Sequence, residues 1–142
     1  MVGEKMQKIT MRHIESYVYA LRDLDREISQ LRDDIMAGES EEDENWGGGT
    51  NSVRSPSRPT EMTAVKLTTS KRLRNLKEIR HAISSAYQEM NADAQDVIHY
   101  RYWYNRRLDW NEVAWRTHLH EQTCYKYRRE FVEKIADKIG WA

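Results

Sequence analysis

Ile14, Tyr17, Leu21, Leu24, Ile28, Leu31 and Ile35 recur at spacings of 3, 4, 3, 4, 3 and 4 residues, and the positions between them are mostly charged or polar. An unbroken heptad pattern lays one apolar stripe along one side of an α-helix. The spacing predicts a single helix from about Lys8 to Met36. Removing seven such side chains from water is worth on the order of 10–20 kcal/mol before conformational entropy is subtracted. A lone helix has nothing to bury them against. The stripe is therefore either an oligomerisation seam, making the protein a homo-oligomer through its N-terminal helices, or one side of a hairpin closed by residues 61–90 of the same chain.

That second segment carries Met62, Val65, Leu73, Leu76, Ile79, Ile83, Ala86, Tyr87 and Met90 on a broader stripe. Thr60 ahead of Glu61 suits a helix N-cap, with the acid near the positive end of the helix dipole. Between the two helices, "GESEEDENWGGGTNSVRSPSRP" at 38–59 has three successive glycines, two prolines and an acidic run. Trp46 and Val53 are its only sizeable apolar groups. Such a composition buries too little to order itself, so 38–60 is expected to be a flexible linker, with Trp46 as the anchor if the segment binds a partner.

Charge is balanced overall, at 23 basic and 23 acidic residues, but unevenly spread. Residues 1–60 carry 8 basic and 12 acidic side chains, whereas 101–129 carry 7 basic and 3 acidic. A locally basic C-terminal part suits a polyanion partner. One cysteine excludes an intramolecular disulfide and fits a reducing compartment. With no signal-like N-terminus and no apolar run of about 18 residues, a cytoplasmic protein without a membrane span is expected.

From residue 91 the pattern shortens. Asn91 or Asp93 can cap a helix with Ala94, Val97, Ile98 and Tyr102 inward. Asp109, with Glu112 three residues on, forms a capping box that opens a short helix with Val113 and Ala114 buried. "THLH" at 117–120 makes a turn, and a last helix runs from about Glu121 to Lys138 with Cys124, Tyr127, Phe131 and Ile135 inward. Gly140 stops it. A short capped helix, a tight turn and a second helix make a helix-turn-helix. The second helix then exposes Glu121, Gln122, Tyr125 and Lys126 near its start, with Arg129 one turn on. Gln pairs with adenine, Lys reaches guanine or phosphate, and Glu accepts from cytosine. Arg101, Arg106, Arg107 and Arg116 flank this face as candidate backbone contacts.

Other readings of the same residues are weaker. His118 and His120 stand two apart and share no helix face. His120 with Cys124 makes only two of the four ligands a structural zinc wants. No metal and no cofactor are expected; Cys124 reads as a small buried hydrophobe, and His120 as an improvised N-cap or a phosphate contact. "YRYWY" at 100–104 has the composition of a stacking platform for single-stranded nucleic acid. Consecutive helical residues point to several sides, which favours helix-turn-helix core instead. Trp110, Trp115 and Trp141 read as packing residues. No P-loop, HExxH or nucleophile elbow is present, so no enzyme is expected.

The stretch "VIHYRYWYNRRLDWNEVAWRTHLHEQTCYKYRREFVEKIADKIGW" at 97–141 resembles the C-terminal part of phage late-gene transcriptional regulators of the RinA/ArpU type. Their helix-turn-helix is similar to region 4 of sigma-70 factors, which reads the promoter −35 element. "GGGTNSVRSPSRPTEMTAVKL" is more loosely similar to a Gly-rich stretch before a Pro-Thr-Glu helix start in that family. The resemblance implies recognition residues at Glu121, Gln122, Tyr125 and Lys126. His120, where Ser or Thr is common, and Cys124, where a larger apolar residue is usual, depart from the pattern. The expectation is an all-α protein: an N-terminal heptad helix (1–37), a linker (38–60), a second long helix (61–90) and a helix-turn-helix domain (91–142). Its expected partners are double-stranded DNA at a promoter or operator and host RNA polymerase. A phage terminase small subunit and a coiled-coil protein-binding adaptor are the alternatives.

Overall fold

A computed structural model describes residues 7–46 and 57–141, and the fold is all-α, with no strand among the described residues. The helices are α1 (Lys8–Tyr19), α2 (Leu21–Trp46), α3 (Ser57–Glu89), α4 (Ala92–Ile98), α5 (Trp110–Thr117) and α6 (Glu121–Ile139), and a π-helical turn (His99–Trp103) follows α4. Among the described residues no helix is long and apolar enough to cross a membrane.

Two boundaries differ from those the sequence predicts. The single N-terminal helix is broken at Ala20, which leaves the helical region at φ −93° and ψ 26° and donates its N–H to the Ser16 carbonyl. The described parts of the expected linker 38–60 are helical: α2 runs on through Gly38 and the acidic run to Trp46, and α3 starts at Ser57. Glu and Ala propagate a helix well, and one interior glycine costs only about 1 kcal/mol. Thr60 therefore lies inside α3 and does not cap it. Val53 and the triple glycine lie outside the described residues, as does the Trp46 side chain.

Two compact units result, one of Arg22–Lys77 and one of Met1–Leu21 with Glu78–Ala142. In the first, α2 and α3 run antiparallel: Arg72 donates to Glu27, while Gly38 faces Lys66. Leu24, Ile28, Leu73 and Leu76 are buried there. In the second, α1 packs on α6 and on the π-helical turn, and α4, α5 and α6 pack on one another. Ile14 and Val18 of α1 are buried in this unit together with Ile98, Phe131 and Ile135.

The expected oligomerisation seam is partly covered within the chain. Ile14, Leu24 and Ile28 are buried within one chain, and Tyr17, Leu21, Leu31 and Ile35 are half-buried. Ile14 and Tyr17 belong to the unit that contains α1, and Leu24, Ile28, Leu31 and Ile35 to the unit that contains most of α2. Met62 and Val65, expected on the inward stripe of α3, are exposed instead.

Candidate nucleic-acid interface

The helix-turn-helix begins with two side-chain caps. Asn91 Oδ1 accepts the Ala94 N–H at 2.8 Å, and Asp109 Oδ1 accepts the Glu112 N–H at 2.9 Å. Each satisfies a donor that the first helical turn would otherwise leave orphaned. The helices close on a small core of Val97, Leu108, Val113, Ala114 and Cys124, with Tyr100, Tyr104, Trp110, Leu119 and Tyr127 packed against it. Cys124 is thus a buried free thiol. Burial pushes its pKa up, against an opposing contact from Thr117, so the thiolate needed for metal binding is disfavoured. Among the described residues no three His, Cys, Asp or Glu side chains come together as a metal site.

The turn between α5 and α6 reverses through His118, which adopts the left-handed conformation at φ 59°. Its N–H and that of Leu119 return to the carbonyls of Trp115 and Ala114 and finish α5. His120 occupies the N-cap position of α6, but its side chain makes no capping bond. The expected improvised cap is thus not formed, and His120 is exposed.

Gln122, Tyr125, Lys126 and Arg129 are exposed along the first half of α6, and Glu121 is half-buried. The opposite face of the same helix is anchored by Cys124, Phe131 and Val132. Tyr125 leans on Trp110 with ring centroids 5.0 Å apart, which limits its freedom without covering it. Lys126 approaches Glu130 at 3.9 Å in an exposed pair that costs little to open.

The four flanking arginines are not equivalent. Arg106 is exposed and meets Glu112 at 2.8 Å. Arg107 is exposed and lies over the Tyr19 ring at 4.5 Å. Arg101 is turned inward: it donates to the Leu108 carbonyl at 2.7 Å and stacks over Trp110 at 4.4 Å. Arg116 is half-buried over Tyr104 at 4.9 Å. Arg101 and Arg116 thus brace the domain, whereas Arg106, Arg107, Lys126 and Arg129 are exposed.

Sequence reasoning missed how the N-terminal helix joins this domain. Glu15 is 7% exposed. It accepts two bonds from the Arg128 guanidinium, at 2.7 and 3.0 Å, and one from the Tyr102 hydroxyl at 2.7 Å. Burial alone raises its pKa, but the Arg128 and Tyr102 hydrogen bonds and the charges of Arg128 and Arg101 outweigh it and hold the carboxyl below the usual glutamate range. Burial, then the neighbouring Glu15 charge, pushes the Tyr102 phenol well above its own. Trp103 adds a bond from its indole N–H to the Val18 carbonyl at 2.9 Å. Adjacent Tyr102 and Trp103 both reach α1 because the π-helical turn shifts the register there. The available signal was Glu15 and Val18 beside Ile14, a second face of α1 that the heptad count overlooks.

The YRYWY stretch is accordingly packed within the domain, and not displayed as a stacking platform. The tryptophans divide. Trp110 is half-buried, Trp141 packs on His13 at 4.9 Å between centroids, and Trp115 is 76% exposed, which corrects its reading as a packing residue.

No curated protein and no solved structure matches the chain. A family described as "Protein of unknown function (DUF722)" matches residues 6–137, a span that takes in both units. The chain belongs to the DUF722 family.

Proposed function

We propose that the protein is a sequence-specific DNA-binding regulator of transcription, not an enzyme, which enters the major groove with α6 and activates bacteriophage late genes in the cytoplasm of a bacterial host. The observation that carries this reading is the exposed stripe of Gln122, Tyr125, Lys126 and Arg129 on a helix whose other face is locked into a capped tri-helical core. A rigid helix that offers donors, acceptors and positive charge along one edge suits base edges and phosphates together. Resemblance to sigma region 4-like regulators adds the promoter as target and RNA polymerase as a second partner.

The exposed Trp115 favours a second reading, an adaptor whose α5 face binds protein, since exposed tryptophans are enriched where partners dock. Footprinting across the phage genome separates the readings. Protection beside a late promoter supports the regulator, protection at the packaging site points to a terminase small subunit, and the absence of any protection leaves the adaptor.

A further inference from the structure

Arg107 differs from its neighbouring arginines in how it is held. Arg106 is paired with Glu112 and Arg128 with Glu15, while Arg101 turns inward onto the Leu108 carbonyl. Arg107 is exposed and, among the described residues, forms no ion pair. It rests instead on Tyr19, the last residue of α1, with its guanidinium carbon 4.5 Å from the ring centroid. Arg107 lies in the irregular segment between the π-helical turn and α5, where no helix fixes its direction. Ordering a long side chain on binding costs entropy. A ring beneath the guanidinium removes part of that cost in advance, and it does so without the neutralisation that an acid would bring.

The ring is itself fixed. Tyr19 meets Tyr102 edge-on, with centroids 4.8 Å apart and planes at 65°. Tyr102 is buried and donates to Glu15, one turn earlier in α1. Beside Tyr19, the Val18 carbonyl accepts the Trp103 indole N–H. The Tyr19 hydroxyl, by contrast, is buried and has no hydrogen-bond partner among the described residues. An unsatisfied buried hydroxyl costs stability, so the ring is the part of this side chain that the structure uses. A guanidinium stacked by its face keeps its N–H edge for an anion, and its forked donors match the oxygens of a phosphate.

We propose that Tyr19 is a positioning residue of the nucleic-acid interface: its ring holds the Arg107 guanidinium in place for a phosphate of the DNA backbone, which makes the end of α1 part of that interface. This rests on the DNA-binding reading above.

Binding of the full chain to a random-sequence duplex, titrated with salt, tests it. Arg107→Ala should flatten the salt slope by about 1, the loss of one phosphate contact. Tyr19→Leu keeps an apolar side chain against Tyr102 and removes the ring, and it should weaken binding about 2–5-fold, the range of an exposed cation–π contact. In the Arg107→Ala background the same change should have no further effect. Tyr19→Phe, which removes only the unpartnered hydroxyl, should bind as the wild type does. A role for Tyr19 in folding alone would weaken binding equally with or without Arg107, and that additive result overturns the inference. So does undiminished binding by a folded Tyr19→Leu, or a loss in Tyr19→Phe as large as in Tyr19→Leu. An unaltered salt slope in Arg107→Ala overturns it while leaving the DNA-binding reading intact; a wild type that binds no DNA overturns both. Should Tyr19→Leu lose helicity, Arg107→Lys replaces it. Net charge is then kept but the planar guanidinium is gone, so a loss of about 2–5-fold is expected, and wild-type affinity overturns the inference.

Discussion

Tyr125 and Lys126 stand one turn into α6, exposed yet steadied by Trp110 and Glu130, and they are the side chains on which sequence reading would depend. Replacing either by Ala should cost about 1–3 kcal/mol on the cognate site and little on random DNA. Gel shifts on both DNAs check this; equal losses on the two would remove α6 as the reader. A second residue-scale test concerns Glu15. Glu15→Gln leaves the Arg128 guanidinium, whose side chain is 30% exposed, without its counter-charge, and should destabilise the unit by about 2–4 kcal/mol. Because the folded-state pKa of Glu15 is depressed, its stabilisation is complete above the unfolded-state value, about 4.3, and is lost as pH falls from there through the folded value. Urea melts at stepped pH should therefore show a shallower acid limb for the Gln variant; parallel limbs would mean the carboxylate is not the source. At the turn, His118 holds a positive φ that an L side chain adopts at a cost. His118→Gly should raise stability by about 0.5–1 kcal/mol, read as a higher thermal midpoint. An unchanged or lower midpoint would show that the imidazole makes a compensating contact.

Helix boundaries were decided by the neighbours of each element. Caps written into local sequence, Asn91, Asp109 and Gly140, act where expected because a cap needs only its own helix. The length of α2 did not follow local composition. Residues with adequate helix propensity but little to bury are read from sequence as a linker, yet they continue a helix already nucleated and packed upstream, since propagation is far easier than nucleation. Gly38 then sits mid-helix, and a Cβ built there meets only the flexible end of Lys66 at 3.4 Å. Gly38→Ala should accordingly stabilise the hairpin by about 0.5–1 kcal/mol. Hydrogen exchange of the α2 amides provides the check: slower exchange around position 38 is expected, and faster exchange would mean the methyl displaces α3.

For the molecule as a whole, salt is the variable that separates the proposed function from protein-only binding. With about 4–6 phosphate contacts, affinity for DNA should fall about 10²–10³-fold between roughly 50 and 200 mM salt. A flat titration would count against the regulator and in favour of the adaptor. What the sequence alone determined was whatever depends on one helix at a time: the all-helical class, the caps at Asn91, Asp109 and Gly140, the turn before α6, and the inward set Ala94, Val97, Cys124, Phe131 and Ile135. Periodicity and capping are local, so they can be read without knowing the partner. The break at Ala20 and the capture of Arg128 and Tyr102 by Glu15 were decided only by tertiary structure, as were the inward turn of Arg101 and the exposure of Trp115. Glu15 and Arg128 stand 113 residues apart, and nothing in the spacing of either reveals that the other will be there. A charge on a helix reads as solvated until packing places it beside an opposite charge and removes the water, and that happens only when the whole unit closes.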